Sequence, residues 1–268
     1  MQVCVFTNEV SRNFDEALSL AKAAGADSVE IRGGLYGGDL TTVDSAGVLK
    51  IREALQRYGM RVASIGSPCG KCRFDVPAET ARNQEVFRRM IALGEALGCR
   101  LIRCFAFWNP LGGDPLKRAP LSAHLTQLTA FLSPLIRMAE SAGFLFGLEM
   151  ESDTMVATAA ETVQLYHALG DSSAFRVVWD ILNEWGAGET PYPDGYELLR
   201  GLISHVHIKP NRDGNMITVG SSSLTYGEIL VALNNDGYTG AASIEHWGTT
   251  ADMLRGVQQL RIAVNALG

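Results

Sequence analysis

Four successive apolar runs in the second half of the chain each end in a residue of metal-ligand type: Phe144 to Leu148 before Glu149, Val177 to Trp179 before Asp180, Ile203 to Val206 before His207, and Ala241 to Ile244 before Glu245. Short apolar runs separated by helical segments build a parallel βα array. When such an array closes into a barrel, the carboxyl ends of all its strands open onto one mouth. Three carboxylates and one imidazole would converge there. A lone Asp or Glu just past a strand is ordinary solvated loop chemistry, so the constraint comes from the recurrence of the pattern in four consecutive runs.

The first half supplies four more runs, Val3 to Phe6, Ser28 to Ile31, Arg61 to Ile65 and Leu101 to Phe105, for a total of eight. Between the runs lie apolar residues at helical spacing: Phe14, Leu18, Ala21; Val48, Ile51, Leu55; Val86, Met90, Leu93, Leu97; and Leu121 through Leu135. Gly25, Gly59, Gly98 and Gly143 stand where a helix would close in the left-handed conformation before the next strand, and Thr249 opens a closing helix that ends near Leu267. A (β/α)8 barrel typically needs roughly 250 residues. The 268 residues show no composition break, so the expectation is a single α/β domain over residues 1–268, a (β/α)8 TIM barrel. The longest irregular segments, 66–77, 107–120, 181–193 and 209–224, follow strands at their carboxyl ends, where barrel active sites are built. Trp108 and Trp185 fall in two of them and could wall a pocket or stack on a sugar ring.

The formal charge is −6, and the 23 Lys and Arg form no run or stripe. Duplex nucleic acid is therefore not the expected partner, since phosphate neutralisation needs clustered cations. No segment approaches the ~18–20 apolar residues of a membrane span. The N-terminal Met-Gln-Val-Cys-Val-Phe lacks a basic region and reads as a strand rather than a signal peptide, so the cytoplasm is expected. Five irregularly spaced cysteines fit reduced thiols. Cys69-Gly-Lys-Cys72 has C-x-x-C spacing, but without a second pair or a nearby His it is taken as incidental.

Two Glu, one Asp and one His offer three hard oxygens and one nitrogen. This donor set favours Mn²⁺ first, with Mg²⁺, Co²⁺ or Zn²⁺ open, over a structural zinc site rich in thiolates. Such an ion can hold a hydroxyl and an adjacent carbonyl together and stabilise the enediolate left when the C–H proton is removed. Glu149 and Glu245 on opposite sides of a substrate could then take and return the proton. Periodicity leaves some assignments open. His205 and His207 share a sheet face, with His207 nearer the strand end, and Glu149 and Glu151 pose the same ambiguity. His246 has the opposite parity to Glu245 and is expected to pack outward. His124 and His167 fall in expected helices.

Gly147-Leu-Glu149 with Thr154, Val178-Trp-Asp180 with Asn183, His205-Val-His207-Ile-Lys209, Gly237-Tyr238 and Ser243-Ile-Glu245-His246 together resemble the xylose-isomerase-like TIM-barrel superfamily, and Asn8-Glu9, Val29-Glu30-Ile-Arg32 and Ile102-Arg103 look like its early strand ends. The superfamily contains sugar isomerases and epimerases, inosose dehydratases and AP endonucleases. The resemblance implies one divalent ion on Glu149, Asp180, His207 and Glu245, with the two glutamates as the acid/base pair. Many members carry His where this chain has Asn183. Many also have an acidic residue and a Gly-Glu-Gly where it has Pro210 and Gly220-Ser-Ser-Ser223. Lys209, Arg212, Arg32 and Arg103 could bring positive charge to the substrate, beside Trp108 and Asn183.

The expected activity is isomerisation or epimerisation of a small sugar or sugar derivative. The alternatives are a lyase or dehydratase acting on an inosose or keto-glycoside, and a noncatalytic sugar-binding barrel. AP endonuclease chemistry needs a trinuclear zinc cluster with several His ligands, and only five His exist. The identity of the sugar and the formation of a homo-oligomer stay open.

Overall fold

The computed structural model describes residues 1–268 except 113, 115, 116, 212–214, 246 and 247. Along the described residues strand and helix alternate: β1 (Gln2–Val5), α1 (Phe14–Ala24), β2 (Ser28–Ile31), α2 (Ser45–Tyr58), β3 (Arg61–Gly66), α3 (Pro77–Leu97), β4 (Leu101–Cys104), α4 (Leu125–Ala142), β5 (Leu145–Glu149), α5 (Ala159–Ala168), β6 (Phe175–Asp180), α6 (Ile181–Gly186), β7 (Ile203–Ile208), α7 (Tyr226–Asn235), β8 (Ala241–Ile244) and α8 (Thr250–Asn265). Every residue of β2, β4 and β8 is buried. This is the continuous burial of a parallel sheet covered on both faces, and it explains why these strands read as apolar runs without alternation.

The chain's contacts gather into two compact units. The first comprises Met1–Gly66, Leu93–Cys99 and His205–Gly268. In it β2 pairs with β3, a bridge between Phe6 and Glu30 joins the end of β1 to β2, β1 pairs with β8, and β8 pairs with β7, all parallel. Phe14, Leu18 and Ala21 of α1 and Met253, Val257 and Leu260 of α8 are buried, giving α1 and α8 apolar faces at helical spacing. Burying such a side chain contributes about 1.5–3 kcal/mol when it is large. Gly256 lets α8 approach β8, since a Cβ there would lie 3.2 Å from Ile244 Cγ2.

The second unit comprises Ser67–Ala92 and Arg100–Ser204. Its parallel strands run β4, β5, β6, with Leu101 opposite Leu145 and Phe146 opposite Phe175. Phe146 stacks against Phe175 with ring centroids 6.3 Å apart and is flanked by Phe87 at 5.8 Å. Leu128, Leu132 and Leu135 of α4 are fully buried.

Helix ends follow local chemistry. Asn13 and Asp44 cap α1 and α2, while Thr158, Thr225 and Thr249 each form a reciprocal capping box with the acid three residues on. Two helical stretches differ from the sequence reading. The helix expected from Leu121 begins at Leu125, after a 3-10 turn over Leu121–Ala123, and His124 sits at the junction with its ring 5.2 Å from Phe74. The segment expected to be irregular after Asp180 is instead helical over α6, because Asp180 Oδ1 accepts from Asn183 N at 2.9 Å and turns the chain at once. Trp185 therefore lies on a helix. All five cysteines are free thiols. Burial pushes Cys72 up to about 12, so this thiol is not a ready nucleophile. Among the described residues no helix is long and apolar enough to cross a membrane.

Glu184 of α6 is fully buried. Its carboxyl accepts from Trp179 Nε1 at 2.6 Å and from Ala159 N at 3.2 Å, beside Gly195, where a Cβ would come within 2.3 Å of it. Burial pushes this carboxyl up to about 7, against the pull of those two donors, from an ordinary 4.5. A raised carboxyl favours the folded state while protonated, so its contribution is present at low pH and is lost as pH rises from about 4.5 through about 7. Between pH 5 and 8 the wild type should therefore lose on the order of 3 kcal/mol more unfolding free energy than Glu184→Gln, in which the group cannot ionise. Urea unfolding at the two pH values checks this, and equal slopes for both proteins would exclude it.

Candidate metal centre

In the second unit Glu149 is the last residue of β5 and only 2% exposed. Arg103 of β4, itself buried, donates from Nη1 to Glu149 Oε2 at 2.5 Å, and its guanidinium lies 4.5 Å over the Phe105 ring. Asp180 closes β6 and is fully buried, with one oxygen committed to the cap of α6. Carboxylate oxygens of Glu149 and Asp180 come within 4.8 Å of each other. Asn183 donates from Nδ2 to Met150 O at 3.0 Å and so ties α6 to the end of β5. The loop after β3 adds Lys71, whose ammonium lies 4.2 Å from the centroid of Phe105, 5.6 Å from that of Trp108 and 3.5 Å from Glu151 Oε2. Trp108 is half-buried, and its backbone N–H donates to Cys72 O at 3.0 Å. Glu151 is thus engaged by Lys71, whereas Glu149 pairs with Arg103.

In the first unit His207 of β7 is fully buried, and its partners differ from those of His205. His207 Nδ1 lies 3.5 Å from Glu245 Oε2, while its Nε2 lies 2.9 Å from Glu30 Oε2. His205 meets the same Glu30 oxygen at 3.0 Å from its own Nε2. Glu245, just past β8, has Oε1 3.4 Å from Arg32 Nη1 and Oε2 3.6 Å from Lys209 Nζ. Arg32 also donates to Glu9 Oε1 at 2.7 Å and lies 4.6 Å over the Phe6 ring. The Glu30 carboxyl is buried, which opposes ionisation, yet the imidazoles of His205 and His207 together hold it well below the usual carboxylate range. Arg212 and His246 lie outside the described residues.

Sequence reasoning did not single out Glu30 or Lys71 as part of a site. A charge in the middle of the apolar run of β2 was the available signal for Glu30. Lys71 was hidden inside the C-x-x-C spacing, which drew attention to the cysteines rather than to the cation between them.

The first unit's donors suit a divalent ion. Glu245 Oε2 is buried and receives no hydrogen bond among the described residues. Its 3.5 Å separation from His207 Nδ1 is about that of two donors each ~2.1 Å from one cation. The oxygen pair of Glu149 and Asp180 in the second unit is of the same hard type.

A family model described as "Xylose isomerase-like TIM barrel" matches residues 18–264. No curated protein matches the chain. Among solved structures, an L-ribulose 3-epimerase has 20% identity and a TM-score of 0.77, covering 99% of this chain and 95% of that one. A xylose isomerase-like TIM barrel protein from Mycobacterium smegmatis in complex with magnesium has 15% identity and a TM-score of 0.76, covering 99% and 97%. A probable 3-DHS dehydratase from Bacillus anthracis has 17% identity and a TM-score of 0.74, covering 97% and 98%. At these identities the likeness is one of fold, and with the family match it makes the eight βα repeats a TIM barrel.

Because Glu149 and Arg103 are both buried, removing one charge strands the other in a low-dielectric interior. Arg103→Met should lower the unfolding free energy by about 3 kcal/mol, and the double variant Arg103→Met/Glu149→Gln by less than the sum of the two single changes. Denaturant unfolding of the three variants checks this, and additive losses would mean that the two groups are not coupled.

Proposed function

The chain belongs to the xylose isomerase-like TIM-barrel family, and on that premise we propose that it is a divalent-metal-dependent isomerase or epimerase of a small sugar or sugar derivative. One observation carries the reading. Four consecutive strands carry a buried residue of ligand type at or beside their carboxyl ends: Glu149 at 2% exposure, Asp180 and His207 at 0%, and Glu245 at 9%. Buried charges at these positions are costly unless they are paired or hold an ion. In a TIM barrel the strand carboxyl ends share one mouth, so the proposal gathers all four residues around a single ion. Three oxygens and one imidazole favour manganese, with magnesium, cobalt or zinc as alternatives, and the magnesium complex of a structural relative agrees with a hard divalent ion.

When bound, the ion supplies Lewis-acid polarisation of a substrate carbonyl and charge stabilisation of the enediolate that follows proton removal. The chain's own residues do the rest. Glu149 and Glu245 flank the substrate from opposite sides, one taking the proton from the carbon beside the carbonyl and the other returning it. Arg103 fixes the orientation of Glu149, and Arg32 and Lys209 fix that of Glu245. Trp108 offers an apolar face for a sugar ring, and Asn183, Arg212 and Lys209 supply polar contacts to its oxygens. The partner is a small carbohydrate, and the five free thiols agree with a cytoplasmic setting. A lyase or dehydratase is the second reading. It is favoured by the ammonium of Lys209, 3.6 Å from Glu245 Oε2, which could assist a leaving hydroxyl.

The test is a panel of keto- and aldo-sugars, inosose and 3-keto glycosides incubated in D₂O with Mn²⁺ and read by NMR. Deuterium should enter the carbon beside the carbonyl. Glu149→Gln and Glu245→Gln should each suppress that exchange and lower kcat by on the order of 10²-fold or more with the fold retained. His207→Ala and Asp180→Ala should lose metal content and activity together. Near-wild-type exchange in both glutamate variants with metal bound would sink the two-glutamate mechanism. Expulsion of water or a glycosidic group would point to the lyase, and ligand binding without exchange to a sugar-binding barrel.

A further inference from the structure

Glu30 is the third of the four residues of β2, and its side chain is fully buried. Taking a carboxylate out of water in such a place costs several kcal/mol unless other groups compensate. The compensation goes to histidines. Oε2 lies 2.9 Å from His207 Nε2 and 3.0 Å from His205 Nε2, whereas Oε1 has no hydrogen-bond partner among the described residues. The two imidazoles stand edge to face, 5.3 Å apart at 90°, and the Phe6 ring packs 5.4 Å from His207, so the His207 ring has little room to turn.

We propose that Glu30 is a positioning residue that holds His207 in the tautomer protonated on Nε2, leaving Nδ1 as the nitrogen that binds the divalent ion. The inference rests on the metal reading given above and adds which nitrogen binds and what makes it bind. A neutral imidazole carries one N–H. With that N–H donated to Glu30, the lone pair is on Nδ1, the atom that faces Glu245 Oε2 at 3.5 Å. A carboxylate beyond a ligating histidine fixes the ring and makes it a better donor. His205 meets the same oxygen at 3.0 Å but joins no strand-end carboxylate among the described residues, so its part is to help balance the buried charge of Glu30.

The same three groups, Glu30, His205 and His207, could themselves be read as a second ion site, since their donor atoms lie within 4.8 Å of one another. Against this, one Glu30 oxygen already lies 2.9 and 3.0 Å from the two ring nitrogens, all three side chains are at most 1% exposed, and no fourth donor joins them among the described residues. A single ion at the strand ends is the consequence.

The experiment pairs a tautomer measurement with a binding measurement. In metal-free wild type, ¹⁵N NMR of the five histidines should show His207 with its proton on Nε2 and a bare Nδ1. Glu30→Gln preserves side-chain size but can present an amide N–H to the ring. It should weaken Co²⁺ and Mn²⁺ binding by about 10- to 100-fold in chelator competition, mix the His207 tautomers, and shift the visible absorption of the Co²⁺ protein while circular dichroism stays unchanged. A wild-type His207 protonated on Nδ1 would overturn the proposal, as would Co²⁺ affinity within twofold of wild type in Glu30→Gln. Two ions per chain, one of them lost with Glu30, would overturn it in favour of the second ion site. If Glu30→Gln does not fold, the wild-type tautomer alone decides. A wild type that binds no divalent ion would refute the metal reading itself, whatever its tautomer.

Discussion

Glu30, Glu149, Asp180 and Glu245 carry carboxylates into or against a parallel sheet whose strands are buried on both faces, and each must find compensation there. Some partners sit on the adjacent strand and others on strands that do not pair with the carboxylate's own. Arg103 on β4 reaches Glu149 on β5, the backbone N–H of Asn183 reaches Asp180, and the two β7 histidines reach Glu30 on β2. Lys209 and Arg32 stand by Glu245. Parallel pairing makes the Arg103–Glu149 meeting reproducible, because the in-register neighbours Arg103 and Gly147 fix how far along β5 the guanidinium can reach. An apolar set of the same volume would often be as stable or more so, so the retention of so many buried charges is better explained by chemistry than by folding.

Several structural features are tied to the site through that constraint. Asp180 is both the end of β6 and the cap of α6, so the helix cannot start elsewhere without turning a candidate ligand away. Behind it Trp179 anchors Glu184, and only a glycine at position 195 leaves room for that carboxylate. Gly70 has φ of +88°, and a Cβ there would fall 1.9 Å from the carbonyl oxygen of Phe105. This close approach lays the loop after β3 along the end of β4 and suspends Lys71 over Phe105 and beside Trp108.

The strands were legible because a parallel strand covered on both faces must be apolar along its length, and the glycines that end its helices punctuate the sequence. β2 and β8 fall on the runs read for them, and the others shift by one or two residues at an end, as where Phe175 and Arg176 extend β6 backward. The four strand-end residues stood out for the same reason: polarity begins where the apolar run stops. The choice between His205 and His207 was hidden because residues two apart share a face, and only the partners of each ring separate them. Arg103 reads in the sequence as a cation for a substrate, and what the sequence does not show is its burial and its ion pair with Glu149. The six residues of α6 are too few to show a period, and the Gly and Pro residues that follow made the whole segment read as loop.

Side chains held at strand ends and side chains carried by loops divide the work differently. Glu149, Asp180 and His207 are set by backbone pairing within strands, and Glu245 follows directly on β8, so their positions tolerate little adjustment. Lys71 and Trp108 lie on connections after β3 and β4, and Asn183 begins the short helix after β6, where length and sequence can change without disturbing the core. Structural relatives at 15–20% identity keep the whole barrel over nearly its full length, which is what a fixed scaffold with exchangeable loops allows. On the reading proposed above, the choice of substrate falls to the connections after β3, β4 and β6. There a half-buried tryptophan 5.6 Å from an ammonium suits a substrate with one apolar C–H face and an oxygen-rich edge.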